Sequence, residues 1–287
     1  MNTATTPFHL NILNELASAM DKGEARATML LIFDKLMGFT TADVLMGKAE
    51  ELNEYERAKV ERAVGRVVDG EPVQYVIGRS DFMDMEIEVT DAVLIPRPET
   101  EELVQLCLSN HQKNEHIRIL DIGTGSGCIA LAIKKNMPKV DVVGWDLSDD
   151  ALDVARKNAK RLALDVRFEH HDILDIDKEL PNQAAEFDII VSNPPYVCES
   201  EAADMERKVL CHEPSLALFV PDDDPLRFYR AIARFALKAL KPGGEIYFET
   251  NRLYCHDTAS LMRSLGFHSV KIIKDQFKND RIIHCEK

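Results

Sequence analysis

A chain of 287 residues with 45% hydrophobic side chains exceeds the usual single domain and has the apolar content for two cores, so a large domain with a smaller companion is expected. A formal charge of -14 argues against gripping long nucleic acid by neutralising phosphates, so no direct nucleic-acid partner is expected. The six cysteines, at 107, 128, 198, 211, 255 and 285, form no CxxC pair and read as reduced thiols; there is no basic start followed by a long apolar run, so the expectation is a soluble, cytoplasmic protein with no membrane attachment.

From about residue 8 to 70 the apolar positions recur at helical spacing. Leu10, Ile12, Leu13, Leu16, Ala17 and Met20 form one stripe; Ala27, Met29, Leu30, Leu31, Phe33, Leu36 and Met37 form a second that stops at Gly38. A charged helix follows from about Glu54 to Val68, ending near Gly70. Residues 1–73 are therefore assigned to a small helical bundle suited to holding a partner. Between Gln74 and Leu94 two short runs, Tyr75-Val76-Ile77 and Met85-Glu86-Ile87-Glu88-Val89, flank Gly78 to Asp84, which predicts a β-hairpin linker over residues 74–98. In Pro96-Arg97-Pro98-Glu99-Thr100-Glu101 two prolines stiffen the chain, and the acids suit a helix amino terminus.

Beyond residue 115, over a domain assigned to residues 99–287, strand-like and helix-like segments alternate. Ile117 to Asp121 is followed by Cys128 to Lys135, Asp141 to Asp146 by Ala151 to Leu162, then Val166 to Glu169 and Asp188 to Ser192. A helix from about Pro225 to Leu240, a strand at Glu245 to Glu249, a helix near Thr258 to Leu265 and strands near Val270 and Ile282 complete the chain. That order predicts an α/β fold, an open Rossmann-like doubly wound sheet with helices on both faces.

The most informative segment is Asp121-Ile122-Gly123-Thr124-Gly125-Ser126-Gly127, where an apolar strand ends and a helix begins. Three glycines at alternate positions allow a sharp turn and leave no Cβ between the chain and a ligand. A dinucleotide fingerprint needs Gly or Ala three places after Gly125, where this chain has Cys128, and Asp121 would oppose a pyrophosphate. S-adenosylmethionine carries an ammonium and a sulfonium but no phosphate, so a carboxylate at the strand end favours it. Asp146 closes the next strand, 23 positions after Gly123, where a carboxylate can accept both ribose hydroxyls. Asp172 can accept from an adenine amino group while Ile173 covers the ring. The adjacent His170 and His171 point apart and lack further ligands, so no metal is expected.

After Asp188 to Ser192 comes Asn193-Pro194-Pro195-Tyr196, at the sheet edge where open α/β folds place their chemistry. Asn193 and Pro194 each precede a proline and are held extended, a stiff arch able to aim the Asn193 side-chain oxygen and the Pro194 carbonyl at one point. Together they would accept both hydrogens of a planar NH2 group, with Tyr196 lying flat on it. Nothing in the four residues is basic enough to deprotonate an amide, so catalysis must come from positioning the nitrogen for in-line attack and stabilising its developing positive charge.

These features together resemble the PrmC/HemK family of release factor glutamine methyltransferases. The likeness extends to Gly70-Glu71-Pro72-Val73-Gln74-Tyr75-Val76-Ile77-Gly78, Ile95 to Glu101, and Glu213-Pro214 followed by Ala217-Leu218. The resemblance implies that Gly123 to Gly127 wrap the methionine part of S-adenosylmethionine and that Asp146 holds its ribose. It also implies that Asn193 to Tyr196 clamp the glutamine of the Gly-Gly-Gln loop of a class 1 peptide chain release factor, with the helical domain contacting the rest of that partner. The chain departs from the usual family pattern at Ile173, at Asp222-Asp223-Asp224-Pro225 and at Phe248-Glu249-Thr250-Asn251. The alternative reading is an adenine N6 methyltransferase acting on DNA or RNA, since an exocyclic amine presents the same two hydrogens. Residues 1 to 75 hold eight Lys or Arg against twelve Asp or Glu, which disfavours it.

Overall fold

The computed structural model describes residues 6–111, 116–180 and 184–287. Two compact units form: Met1–Arg79 with Glu206–His212, and Ser80–Met205 with Glu213–Lys287.

In the first unit the two apolar stripes become α1 (Phe8–Leu16) and α2 (Lys22–Met37), α3 (Thr41–Leu45) is a short helix without a predicted counterpart, and the charged segment becomes α4 (Glu54–Val68). Asp21 caps α2 by accepting from the amides of Gly23 and Glu24, and Gly38, at φ +69, ends it in the left-handed conformation that glycine tolerates without strain. Asn53 and Glu56 close a reciprocal capping box on α4 at 3.0 Å in each direction. Ile12, Leu16, Ile32, Phe33, Val60 and Val64 are fully buried between these helices. Each large apolar side chain contributes about 1.5–3 kcal/mol on burial.

One expectation is corrected here. Tyr75-Val76-Ile77 is not a strand but the body of a short helix, α5 (Val73–Ile77). Pro72 opens it, accepting from the amides of Tyr75 and Val76, Gly78 at φ +75 closes it, and Val73 and Val76 pack on the helical core. The first hairpin strand is instead β1 (Arg79–Phe82), paired with β2 (Met85–Glu88).

The second unit carries α6 (Pro98–His111), β3 (Arg118–Ile122), α7 (Cys128–Asn136), β4 (Asp141–Asp146), α8 (Asp149–Leu162), β5 (Arg167–His170), α9 (Ile176–Glu179), β6 (Phe187–Ser192) and the short β7 (Val197–Cys198). After α10 (Arg207–His212), which belongs to the first unit, come α11 (Ser215–Leu218), β8 (Phe219–Val220), α12 (Arg227–Ala239), β9 (Leu240–Glu249), α13 (Cys255–Ser264), β10 (His268–Lys274) and β11 (Asp280–Glu286). The seven-stranded sheet has the order β10-β11-β9-β6-β3-β4-β5; β11 runs antiparallel to both neighbours, and the other pairings are parallel. Leu120, Val143, Ile190 and Ile246 lie in register across β4, β3, β6 and β9, all fully buried. Strand order reverses between β3 and β6, and the crevice beyond the carboxyl ends at such a reversal is where open α/β sheets bind ligands.

A buried side chain helps to fasten the hairpin to this sheet. The Asn158 amide on α8 accepts from the Glu88 amide at 2.7 Å and donates to the Glu88 and Ser126 carbonyls, each at 3.0 Å. A buried amide satisfied at both ends in this way ties β2 to the glycine loop.

Candidate active site

The loop after β3 turns through Gly123, Gly125 and Gly127, at φ +73, +53 and +81. The amides of Gly123 and Thr124 donate to the Trp145 carbonyl at 2.8 and 2.9 Å, which sets the loop over β4. Beneath it, an added Cβ on Gly144 would stand 2.7 Å from both the Phe168 ring and Thr124 Oγ1, so the loop can settle only on glycine at that point.

Asp121 lies behind the loop and is fully buried. Its Oδ2 accepts from Thr124 Oγ1 at 2.6 Å and from the Ala130 amide at 3.2 Å, while Oδ1 is buried without a hydrogen-bond partner among the described residues. Burial pushes this carboxyl up to about 7; its two hydrogen bonds oppose the rise and the nearby Asp146 adds to it. Asp146 spends one bond per oxygen on backbone, accepting from Gly125 at 2.8 Å and Ser148 at 2.9 Å, and burial raises its pKa as well.

In front of the loop lies a cavity of about 480 Å³, beyond the ends of β3, β4 and β6. Gly123, Thr124, Gly125, Ser126, Asp146, Asp172 and Ile173 line it, as do Asn193, Pro194 and Pro195. The two loops are close enough that a Cβ on Gly123 would sit 4.0 Å from the Asn193 carbonyl oxygen. Three site candidates stand off the wall: Asp121, Gly127, whose Cβ position is filled by Ala155 and Phe168, and Tyr196. Asp172 Oδ1 accepts from the Leu174 amide at 2.8 Å, so part of this carboxylate serves its own turn. Of the paired histidines, His170 bonds Asp149 at 3.0 Å while His171 lines the cavity against Trp145. No group of three or more His, Cys, Asp or Glu among the described residues could hold a metal ion.

Asn193 donates from Nδ2 to Thr100 Oγ1 at 3.1 Å, and Thr100 donates to Glu249 Oε2 at 2.7 Å. Tyr196 donates its hydroxyl to Glu249 Oε1 at 3.1 Å and accepts at its carbonyl from Asn251 Nδ2 at 3.2 Å. Burial, then the Glu249 charge, holds the phenol far above its usual pKa, so Tyr196 is a neutral donor.

Sequence reasoning passed over several of these positions. In the sequence Thr100 belongs to a helix start and to the Ile95 to Glu101 likeness without a role of its own; a threonine set in that acidic turn is the signal. Ala92, Val93, Leu94 and Pro96 also line the cavity; the Ile95 amide among them donates to Glu213 at 3.3 Å, and Arg97 pairs with the same carboxylate, itself only 5% exposed. Arg227 and Phe228 from α12 reach the wall from a distant part of the chain with no local pattern to mark them.

An acidic cavity with Asp146, Asp150 and Asp172 on its wall and an orphaned carboxylate oxygen behind its glycine turn suits a cationic ligand and opposes a phosphorylated one. On this strand order, it defines the class of Rossmann-like S-adenosylmethionine-dependent methyltransferases. The family described as Methyltransferase domain matches residues 113–284, and that described as PrmC N-terminal domain matches residues 12–78. A release factor glutamine methyltransferase from Bacteroides thetaiotaomicron is 44% identical over 264 residues, 92% of this chain and 93% of that one. Another, from Flavobacterium psychrophilum, is 37% identical over 279 residues, 96% of each chain. The chain belongs to the release factor glutamine methyltransferase family. A solved methyltransferase from Pyrococcus furiosus, 18% identical, shares the fold at a TM-score of 0.52 over 79% of this chain and 98% of that one.

Proposed function

We propose that this protein, acting in the cytoplasm, methylates the side-chain amide nitrogen of the glutamine in the Gly-Gly-Gln motif of class 1 peptide chain release factors, with S-adenosylmethionine as donor. When bound, that cofactor supplies an electrophilic methyl carbon. Gly123, Thr124, Gly125 and Ser126 would hold its amino-acid end with the Asp121 charge behind them, Asp146 its ribose, and Asp172 with Ile173 its base; Gly127 shapes the turn. The observation that carries the reading is the Asn193 amide. Its nitrogen is engaged by Thr100 and its residue lines the cavity next to the glycine loop, which leaves Oδ1 as an acceptor open among the described residues.

A carboxamide nitrogen is a weak nucleophile, so this chain must supply position and charge stabilisation. Asn193 Oδ1 and the Pro194 carbonyl accept the two hydrogens of the target NH2 and stabilise the positive charge that grows on nitrogen. Pro195 and Tyr196 keep the arch stiff, the latter through its bond to Glu249. The family relatives support the substrate, and the acidic surface and free thiols fit a protein substrate in a reducing compartment.

Replacing Asn193 with Ala tests the reading. Turnover on release factor should fall at least about a hundredfold, the scale for losing a transition-state hydrogen bond, with cofactor affinity by calorimetry kept. Unchanged turnover would remove Asn193 from the chemistry.

A further inference from the structure

The side-chain amide of an asparagine is nearly the same shape in its two flipped orientations, so packing alone does not decide whether oxygen or nitrogen faces a ligand. In this site the difference is decisive. Oxygen toward the target NH2 gives an acceptor for its hydrogen; nitrogen there would set two donors against each other.

Glu249, at the carboxyl end of β9 and 1% exposed, stands two hydrogen bonds away from Asn193 and outside the cavity wall. An ionised carboxylate only accepts, so it takes the one hydroxyl hydrogen of Thr100, at 2.7 Å. With that hydrogen spent, Thr100 Oγ1 can offer only lone pairs to Asn193, and the amide must turn its Nδ2 toward it, at 3.1 Å. Each link thus fixes the polarity of the next, and the last free atom of the series is Asn193 Oδ1. The second carboxylate oxygen takes the Tyr196 hydroxyl at 3.1 Å, so the same group braces both ends of the arch.

We infer that Glu249 is a positioning residue for methyl transfer, acting through Thr100 to hold the Asn193 amide with its oxygen toward the substrate nitrogen. This rests on the reading of Asn193 as the acceptor. Burial, the largest influence, raises the Glu249 pKa above its ordinary value; the Thr100 hydroxyl, the Arg281 guanidinium and the Tyr196 hydroxyl pull it back down, and Glu99 adds to the rise. A carboxylate kept in so dry a place needs such compensation, and its donors are the groups that shape the arch. Sequence reading noted Phe248-Glu249-Thr250-Asn251 only as a departure from the family pattern; the buried relay gives Glu249 a task.

The test compares the full-length wild type with Thr100→Val, Thr100→Ser, Glu249→Gln and Asn193→Ala, measuring kcat and KM on release factor protein and cofactor affinity by calorimetry. Thr100→Val removes the hydroxyl at nearly constant volume and should lower kcat by about tenfold, the scale for one neutral hydrogen bond, with cofactor affinity within about twofold. Thr100→Ser should recover most of that loss. Glu249→Gln, which can donate as well as accept, should also lower kcat, and in the Asn193→Ala background Thr100→Val should cost nothing more, because both act through one atom. An active wild type, an impaired Asn193→Ala and an unaffected Thr100→Val would overturn the relay alone, as would full additivity of the last two changes. A wild type inactive on release factor, or an unimpaired Asn193→Ala, would overturn the parent reading. An unaffected kcat in Glu249→Gln would overturn the part given to Glu249; if that variant does not fold, Glu249→Asp, which keeps the charge but shortens its reach to Thr100, takes its place under the same criterion.

Discussion

Asp121 couples the glycine loop to pH. Its carboxyl is held at about 7 in the native state against an ordinary value of 3.8, so between those limits the folded chain keeps a proton that the unfolded chain releases. Its contribution to stability is therefore full below about pH 4 and lost as pH rises through 7. Cofactor binding has the opposite sign, because a cation arriving over the loop favours the ionised form. S-adenosylmethionine should bind more tightly as pH rises from 5.5 to 7, by at most about tenfold per unit from this group. Calorimetry in buffers of different ionisation enthalpy should register proton release on binding at the lower pH. In Asp121→Asn the dependence should shrink to what Asp146, whose pKa is also raised by burial, supplies; an undiminished slope would mean that Asp121 does not sense the ligand. At this scale the sequence was informative where a residue acts through its own motif. Gly123 to Ser126, Asp146 and Asn193 to Pro195 are singled out that way, and the structure brings them to the wall of one cavity. It was silent where a role is conferred by a neighbour distant in the chain, as Glu249 acts on Thr100 and Glu213 on Arg97.

Among the elements, β4 shows how a strand serves a loop it does not contain. Gly144 pairs with Asp121 on one side and Phe168 on the other, and the space a Cβ would need is taken by Phe168 and Thr124. Gly144→Ala should therefore destabilise the protein by about 1–3 kcal/mol, the usual cost of overpacking, and weaken cofactor binding through the displaced loop. Denaturant unfolding followed by calorimetry would check both; wild-type stability would mean that Phe168 yields freely. Most elements are legible because periodicity and end signals agree, as with Gly38 ending α2 and Gly70 following α4. The run at Tyr75 differs from expectation because three apolar residues satisfy either a strand or a helical turn, and the flanking Pro72 and Gly78 decide for the helix. The short pieces from β7 to β8 carry no periodic pattern long enough to read, yet their pairing of Val197 with Phe219 joins the asparagine arch to the 214–219 segment of the cavity wall.

For the whole molecule, charge and architecture point the same way. A chain at -14 with an acidic cavity is poorly suited to the phosphates of a nucleic acid, while a rigid acceptor pair serves any planar NH2 equally well. On the proposed mechanism, substrate choice lies outside the arch. The helical unit also takes in Glu206–His212, where Lys208 pairs with Glu24 at 3.2 Å, a long-range assignment that no local stripe announced. No helix among the described residues is long and apolar enough to cross a membrane. The most direct measurement is tandem mass spectrometry of a class 1 release factor incubated with the protein and S-adenosylmethionine, with duplex and single-stranded DNA treated in parallel. A single added methyl group on the glutamine side chain of the Gly-Gly-Gln peptide, and none on the DNA, is the predicted result. Methyl transfer to adenine with an unmodified release factor would contradict it.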